Sequence, residues 1–505
     1  MRFLFILILL LVFQYSEEKV YGQEVIFLED FEKLSSDRLQ KGIVGNALNL
    51  RESAYNRKVL KYTVDPSKWQ GSFTLTAWVW AEEDYENYNV IDLKIAYSDD
   101  STQQNWQFIK QSNNAWGWVL KGDKMTLDYK PNYKRQNISK GWNLLCMSFD
   151  SKREELSLYF NSNEVAIYSL EDLIPKGSVT SIDVWVGGEE KGELGEWDTF
   201  NGMIDNVSIV GSAWQKEKVK EYYRQYVKDR IEIGEGKRVD TIRVMSYNIW
   251  HGGNETGKRV GVDRIVDVIK ESGADIIAMQ ETYGSGARIA DELGYYFYLR
   301  SSNISIMSRF PIVETLAAFK PFHNGNAKIQ VGKRQIVLAS IWLNFPIDYW
   351  TEIDKGNPLN LEKWKKVQEG NKKTLVGIIE KLEPYIKKSQ TPVIIAGDFN
   401  SGSHLDWVNA VKELNSGYIM PFPTSIFLDS LSFEDTFRLV HPNPKSNRGL
   451  TWTPINPDTH QDRIDYIYMM GDGIKVIDSQ VLKNHSVRYP SDHAAVLTTF
   501  ILTEK

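Results

Sequence analysis

The spacing of apolar residues changes near residue 240, and this change restricts the chain to two unlike folding units. Before it, stretches such as "SFTLTAWVWA" and "SIDVWVGG" alternate apolar with polar residues, as half-buried strands do. After it, "TIRVMSYN" and "TPVIIAGDFN" are runs rich in β-branched residues, typical of strands buried inside a sheet. A chain of 505 residues also exceeds what one hydrophobic core usually supports.

The pattern predicts an all-β sandwich over residues 24–230, a Gly-containing linker over residues 231–240 and an α/β domain over residues 241–505. In the second unit, helices between the buried runs are predicted at residues 263–271, 288–293, 361–386 and 405–414. Two packed sheets flanked by helices would suit this order of strands and helices.

The N-terminal residues predict export. Arg2 is followed by an apolar run from Phe3 to Phe13, which is too short to span a bilayer comfortably and fits a signal peptide over residues 1–22. A retained membrane anchor is the alternative, and no later segment reaches membrane length. We therefore expect a secreted, periplasmic or cell-surface protein. Cys146 is the single cysteine, so a disulfide within one chain is impossible, and its apolar setting predicts a buried thiol.

Histidine and charge are distributed unequally between the two units. All seven histidines lie at or beyond residue 251, so chemistry that needs imidazole belongs to the second unit. Over residues 241–505, Lys and Arg exceed Asp and Glu by one. Nonspecific nucleases draw much of their affinity from basic side chains that neutralise phosphates, and this balance gives such a function little support.

Each buried run of the second unit ends in polar residues. Ligands of α/β sheets gather just beyond strand ends, so these side chains are expected to meet in space. Taken singly, each has a structural reading, such as a turn or a solvated strand end. Their repetition at successive strand ends predicts one shared site. The residues are Asn248, Glu281, Asp398, Asn400, Asp465, Asp492 and His493.

The motifs that carry these residues resemble, in this order, those of the endonuclease/exonuclease/phosphatase hydrolases. They are "YNIW", "MQE", "SIMSRFPI", "GDFN", "GLTWTP", "DRIDYIY" and "SDH", and they span about residues 241–503. The resemblance implies a four-layer α/β sandwich and a metal-dependent phosphoesterase, and it leaves the substrate open. A phosphorylated glycan, a phospholipid head group and extracellular nucleic acid all remain candidates. A binding protein that keeps the shape without turnover is the alternative.

The residue types fit phosphodiester hydrolysis. A hard divalent cation prefers oxygen ligands, so Glu281 and Asn248, with Asp492 nearby, are expected to bind Mg²⁺ or Mn²⁺. Asp398 can hold and deprotonate the attacking water, and Asn400 can donate hydrogen bonds to a phosphate oxygen. The resemblance pairs His493 with Asp465, with Asp462 as the second choice. Whether Asp398 or His493 is the base stays open.

One position departs from the family pattern. Where the family usually has a His-Leu pair after a strand, this chain reads "ASIWLNFP", with Trp342 at the histidine position. An indole can donate a hydrogen bond but cannot deliver a proton at neutral pH. His251 or His323 could substitute, the leaving group could be acidic or metal-assisted, catalysis could be weakened, or the local alignment could be wrong. We expect Trp342, His251, Asn248 and Asn400 to contact substrate.

The first unit resembles the concanavalin A-like, laminin-G type jelly roll. The matching stretches include "VGNALNL", "FTLTAWVW" and "FNGMIDNVSIVGSAW". The resemblance implies a glycan ligand or a structural Ca²⁺, for which Asp205 is the expected ligand. A spacer that binds nothing is the alternative.

Overall fold

The computed structural model describes residues 19–20, 23–53, 58–99, 102–123, 125–131, 141–191, 196–227, 240–345, 349–387 and 391–503. The predicted signal peptide and linker lie outside these residues, apart from the backbone of Lys19–Val20 and Asp240. The chain divides into two compact units, Met1–Glu232 and Ile233–Lys505. In the described part of the chain, no helix is long and apolar enough to cross a membrane.

The described residues of the first unit form antiparallel strands, one α-helix and two short 3-10 helices. The strands are β1 Lys19–Val20, β2 Gln23–Glu29, β3 Leu39–Lys41, β4 Asn46–Asn49, β5 Leu60–Val64, β6 Phe73–Ala81, β7 Tyr88–Tyr97, β8 Gln103–Lys110, β9 Trp116–Gly122, β10 Met125–Tyr129, β11 Asn143–Asp150, β12 Glu155–Phe160, β13 Asn163–Ser169, β14 Val179–Val186, β15 Gly188–Lys191, β16 Glu196–Thr199 and β17 Gly202–Val210. The helix is α1 Lys216–Tyr226, and the 3-10 helices are Ser36–Arg38 and Pro66–Lys68.

These strands form the predicted sandwich. One sheet has the order β1-β2-β17-β6-β11-β12-β13, with β3 and β4 joined to it through β17, and the other has the order β10-β9-β8-β7-β14-β5. Strands β15 and β16 form a separate hairpin.

Strand β6 is buried on both faces, which its alternating sequence did not predict. Trp78 of β6 stacks on Tyr223 of α1, with ring centroids 5.5 Å apart, so the helix covers the outer face of this strand. The alternating Thr side chains form buried hydrogen bonds instead of meeting water: Thr74 bonds Ser148 and Thr76 bonds Ser208. Cys146 lies beneath the same helix and is fully buried, as predicted.

The second unit contains strands β18 to β29 and helices α2 to α7. The strands are β18 Thr241–Asn248, β19 Ile276–Gln280, β20 Tyr296–Leu299, β21 Ile304–Ser308, β22 Ile312–Leu316, β23 Asn324–Val331, β24 Arg334–Trp342, β25 Val393–Asp398, β26 Glu434–Asp435, β27 Asp465–Met470, β28 Ile474–Leu482 and β29 Ala495–Leu502. The helices are α2 Val260–Ser272, α3 Gly286–Leu293, α4 Tyr349–Asp354, α5 Leu361–Ile386, α6 Pro423–Ser430 and α7 Thr436–Val440, with a kinked turn at Trp250–Gly253 and a 3-10 helix at Asn409–Asn415.

Two sheets with helices outside them form the predicted four-layer α/β fold. Their strand orders are β20-β21-β19-β18-β29-β28 and β22-β23-β24-β25-β27-β26. The pairs β18–β19 and β24–β25 are parallel, so the carboxyl ends of each pair meet at one edge. On the outer face of the second sheet, Leu375, Ile378 and Leu382 of α5 pack against β24 and β25. Between the sheets, Gln280 Nε2 donates to Ser340 Oγ at 3.2 Å.

The helix predicted at residues 405–414 is wrong, whereas the other three predicted helices are confirmed. The structure has a 3-10 helix at Asn409–Asn415, and the preceding residues are drawn into buried polar contacts. Asp406 pairs with Arg438 and Arg463, and the Trp407 indole donates to both carboxylate oxygens of Asp462. These contacts outweigh the local apolar spacing on which the prediction rested.

Arg463 is the centre of this buried ionic network. Its Nε lies 2.9 Å from Asp406 Oδ2, and its two terminal nitrogens lie 3.0 and 2.7 Å from the two oxygens of Asp435. Asp435 also accepts hydrogen bonds from the backbone N–H groups of Phe437 and Arg438 in the first turn of α7. All members are nearly inaccessible to water, so removing one leaves its partners buried and uncompensated.

We expect Arg463→Leu to lower the free energy of unfolding by about 3–5 kcal/mol, because it strands the Asp435 carboxylate in the interior. The matched control is Lys387→Ala, which breaks the exposed ion pair with Glu383 on α5 and should change stability by less than about 1 kcal/mol. Urea unfolding followed by tryptophan fluorescence measures both. Equal effects of the two variants would contradict the importance of the network.

Candidate active site

The ends of β18 and β19 place Asn248 and Glu281 side by side. Asn248 Nδ2 donates to Glu281 Oε1 at 3.1 Å. The turn after Asn248 folds back over Glu281, so that the His251 N–H donates to Oε2 at 2.9 Å and the Gly252 N–H donates to the backbone carbonyl at 2.7 Å. Both carboxylate oxygens of Glu281 are thereby held in place.

Asp492 adds a second carboxylate to this group. Its Oδ1 is buried and has no hydrogen-bond partner among the described residues. Burial raises the pKa of Asp492, and the negative charge of Glu281 raises it further. An orphaned carboxylate oxygen beside a second carboxylate and the Asn248 amide fits a hard divalent cation, which binds oxygen ligands.

Asp398 is the last residue of β25 on the second sheet, and Asn400 follows this strand. Asp398 Oδ2 accepts hydrogen bonds from Asn248 Nδ2 at 3.1 Å and from Asn400 Nδ2 at 3.2 Å, and Asp398 Oδ1 accepts from the Asn400 N–H at 2.9 Å. Asn400 Nδ2 also donates to the Leu343 carbonyl at 2.8 Å. The Asn248 amide therefore bridges Glu281 and Asp398, which come from different sheets.

His493 completes the cluster beside Asp398. Its Nδ1 lies 2.9 Å from Asp465 Oδ2, and its Nε2 lies 3.9 Å from Asp398 Oδ2. Asp465 is therefore the carboxylate that orients the imidazole. Asp462, the second choice from the sequence, is instead bound by the Trp407 indole.

The electrostatics of this cluster favour retention of a proton. Burial acts to lower the pKa of His493, but the carboxylates of Asp465 and Asp398 overcome it and raise the pKa well above its usual value. Burial raises the pKa of Asp398 to about 8, and the nearby His493 cation opposes this rise. Asp398 and His493 lie close enough together to accept a proton from water and pass it on.

Trp342 stands next to Asp398 in the sheet. The two residues are register partners in β24 and β25. Trp342 Nε1 is buried without a hydrogen-bond partner in the described part of the chain. His323 stacks on the Trp342 ring, with centroids 5.9 Å apart and an interplanar angle of 21°. His251 lies elsewhere, with its Nε2 3.7 Å from Glu281 Oε2.

Three positioning residues were not found from the sequence. The Asn303 side chain accepts a hydrogen bond from the Glu281 N–H at 2.9 Å. Ser491 Oγ donates to the Asn248 carbonyl and accepts from the His493 N–H. Thr451 Oγ1 accepts from the Asp465 N–H at 3.2 Å. Ser491 and Thr451 lie within the "SDH" and "GLTWTP" motifs, which was a signal that could have identified them.

At this site, two groups of described side chains could hold a metal ion. Asp398, Asp465 and His493 each offer a ligand atom, and these atoms lie within 4.8 Å of one another. The second group is the predicted one, Glu281 with Asn248 and Asp492. The imidazole of the first group is already hydrogen-bonded to a carboxylate, whereas the second group offers only oxygen ligands and includes the orphaned Asp492 Oδ1.

Two regions of the chain match models of known families. Residues 245–493 match the Endonuclease/Exonuclease/phosphatase family model, and residues 60–220 match that of the Concanavalin A-like lectin/glucanases superfamily. An uncharacterized protein of Caenorhabditis elegans is 29% identical over 301 residues, which cover 51% of this chain and 91% of the relative.

Two solved structures illustrate the structural similarity. The human Nocturnin catalytic domain with bound sulfate anion is 18% identical, with a TM-score of 0.36, over 52% of this chain and 97% of that one. A 3'-5' exonuclease from Neisseria meningitidis is 16% identical, with a TM-score of 0.38, over 52% of this chain and 100% of that one.

Members of the matched superfamily are hydrolases that act on phosphoesters, and they typically use a divalent metal. The order of the two regions is the one predicted from the sequence. Residues 245–493 therefore match the endonuclease/exonuclease/phosphatase family, and they follow a region at residues 60–220 that matches the concanavalin A-like superfamily.

Proposed function

We propose that this chain is a secreted, divalent-metal-dependent phosphoesterase that hydrolyses a phosphodiester. The observation that carries the proposal is the bridging amide of Asn248, 3.1 Å from both Glu281 Oε1 and Asp398 Oδ2. It joins a group of oxygen ligands to a proton-transfer cluster at hydrogen-bond distance. The apolar run from Phe3 to Phe13 supports secretion.

The metal would be held by the carboxylates of Glu281 and Asp492 and by the side-chain amide oxygen of Asn248. These oxygen ligands favour Mg²⁺, with Mn²⁺ as a substitute. The bound metal would withdraw negative charge from the phosphate and stabilise the charge that develops during displacement. The Asn248 Nδ2 group, by donating to Asp398, keeps the water-holding carboxylate next to the phosphorus.

Side chains of the protein bind the attacking water and accept its proton. Asp398 holds the attacking water, and the pair of Asp398 and His493 takes its proton. Asp465 fixes the His493 tautomer with Nδ1–H toward the carboxylate, so Nε2 faces Asp398. The Asn400 amide is positioned to exchange its long bond to Asp398 for a bond to a phosphate oxygen.

Three classes of substrate are candidates. The surplus of one basic residue over residues 241–505 gives little support for nonspecific binding of nucleic acid, which depends on neutralising many phosphates. A phosphorylated glycan would agree with a lectin-like first unit that binds glycan. A phospholipid head group is the third class. Hydrolysis assays with purified protein on all three classes separate them.

The central test is hydrolysis of a chromogenic phosphodiester with Mg²⁺ or Mn²⁺. We expect EDTA to abolish the rate, and Asp398→Asn and His493→Ala each to lower kcat at least about a hundredfold, because both remove acid-base groups. Asp478→Asn changes a half-buried carboxylate on β28 and is the matched control, which should keep the wild-type rate.

Folding of both site variants is checked by circular dichroism. Absence of a metal-dependent rate on any phosphoester, with the wild type folded, would favour the alternative that the domain is a binding protein without turnover.

A second experiment locates the metal. Glu281→Gln should weaken Mn²⁺ binding, measured by isothermal titration calorimetry, at least about tenfold, since it removes a charged oxygen ligand. His493→Ala should retain Mn²⁺ binding, because the imidazole is not among the proposed ligands. The opposite pattern would place the ion among Asp398, Asp465 and His493 instead.

We further propose a structural Ca²⁺ in the first unit, held by Asp205. Asp205 is fully buried, its Oδ2 accepts from the Val44 N–H at 3.0 Å, and its Oδ1 has no partner among the described residues. A Cβ at Gly42 would lie 2.3 Å from Oδ2, so only glycine lets this loop approach the carboxylate. The Glu32 carboxylate binds the same loop through Asn46.

The Ca²⁺ proposal predicts how stability depends on pH. Burial raises the pKa of Asp205 from 3.8 to about 7, so the folded unit keeps a proton that the unfolded chain releases. Without Ca²⁺, the free energy of unfolding should therefore fall as the pH rises from 3.8 toward 7. Ca²⁺ should reverse this loss, and Asp205→Asn should remove both effects. Calorimetry at pH 5 and 7, in EDTA and in Ca²⁺, measures both effects on stability. A melting temperature that does not change with Ca²⁺ would contradict the site.

A further inference from the structure

We propose that His323 is the general acid that protonates the leaving oxygen, in place of the histidine that Trp342 replaces. This inference rests on the proposed function. His323 directly precedes β23, whereas the family pattern has its histidine at the end of β24.

Three strand residues and one residue that directly precedes a strand lie in one row at the edge of the second sheet. Trp342 pairs with Asp398, and Asp398 pairs with Asp465, in adjacent strands. His323 directly precedes β23, whose Asn324 pairs with Ile341, and the Trp342 N–H donates to the His323 carbonyl at 3.0 Å. Neighbouring strands are about 4.8 Å apart, so the row runs from His323 to Asp465 in even steps.

The side chains of this row face the interior between the sheets. Ile341 and Leu343 pack in the core beneath α5, and strand alternation turns Trp342 to the opposite face. Phe399 packs in the same core, so Asp398 also points away from α5. Its contact with Asn248 of the other sheet agrees with this orientation.

The row places two proton carriers on opposite sides of Asp398. His493 is bound to Asp465 on one side, and His323 stacks on Trp342 on the other. In-line displacement requires the attacking and leaving oxygens to lie on opposite sides of the phosphorus. If water is activated at Asp398 and His493, the leaving oxygen departs toward Trp342 and His323.

The hydrogen bond of His323 fixes which nitrogen can carry the transferred proton. Nδ1 lies 2.9 Å from the Trp342 carbonyl oxygen, and a carbonyl oxygen only accepts, so Nδ1 bears the hydrogen. Nε2 is then the nitrogen that takes up and releases a proton. The stacking on Trp342 holds the ring in this orientation.

His251, the other candidate from the sequence, is placed differently. Its Nδ1 lies 2.9 Å from Glu255 Oε1, and its Nε2 lies 3.7 Å from Glu281 Oε2. The ring is therefore paired with carboxylates on the side of the proposed metal ligands and is not part of the strand row.

Two protons are transferred during the proposed hydrolysis. The water oxygen forms a bond to phosphorus, and its proton passes to the pair of Asp398 and His493. The bond from phosphorus to the leaving oxygen breaks, the electron pair stays on that oxygen, and His323 Nε2 supplies the proton that makes it an alcohol. Solvent then returns a proton to His323 and removes one from His493.

The test compares two phosphodiesters with the same phosphoryl group, one with a p-nitrophenolate and one with a simple alkoxide leaving group. A nitrophenolate leaves without protonation, whereas an alkoxide needs an acid. His323→Asn can still donate to the Trp342 carbonyl but cannot transfer a proton, so it should raise the ratio of kcat for the aryl ester to kcat for the alkyl ester by ~10²-fold. His323→Phe, which keeps a stacked ring, should raise the same ratio if the first variant folds poorly.

His251→Asn is the matched comparison and should leave the ratio near its wild-type value. An equal loss on both esters in the His323 variants, or a raised ratio in His251→Asn alone, would overturn the role of His323. If the wild type shows no metal-dependent hydrolysis of the aryl ester, the proposed function itself fails and His323 has no reaction to serve. If the wild type hydrolyses the aryl ester with metal and the His323 variants leave the ratio unchanged, only the assignment of His323 is refuted.

Discussion

A neutral amide between two carboxylates is the interaction on which the candidate active site depends. Asn248 is fully buried, and its Nδ2 lies at 3.1 Å from carboxylate oxygens of both Glu281 and Asp398. An acid at this position would place a third negative charge in a buried space, and a longer cation would not fit between the two oxygens. Because Asn248 and Asp398 belong to different sheets, the distance between the sheets sets the geometry of the site.

The backbone around this amide adopts conformations that side chains rarely allow. Glu281, Asn400 and His251 have φ angles of 56°, 45° and 48°, in the left-handed region. Such residues persist only where surrounding contacts hold them, and here the contacts are specific hydrogen bonds. The Glu281 N–H donates to Asn303, and the Asn400 N–H donates to Asp398. The same bonds that hold the backbone also orient the carboxylates.

Sequence patterns could predict the strand-end residues because a parallel pair brings its carboxyl ends to one edge. Asn248 and Glu281 are brought together in this way, and the packing of the two sheets brings Asp398 to them. The pattern could not decide between Asp462 and Asp465 as partner of His493; that choice came from family resemblance. Asn303 was missed because a loop side chain that binds a distant backbone N–H leaves no periodic signal. The prediction of a helix at residues 405–414 was wrong for a related reason, since tertiary hydrogen bonds outweighed the local spacing of apolar residues.

The segment at residues 405–414, for which the helix prediction was wrong, also explains how Asp465 is held. Asp406 binds Arg463, and the Trp407 indole binds Asp462, so two consecutive residues after the "GDFN" motif hold the chain just before Asp465. Arg463 is in turn fixed by Asp435 at the start of α7. A carboxylate that must orient an imidazole tolerates little displacement, because the hydrogen bond weakens steeply with angle. Buried charges set the position of Asp465, and its bond to His493 then sets the direction of Nε2 toward Asp398.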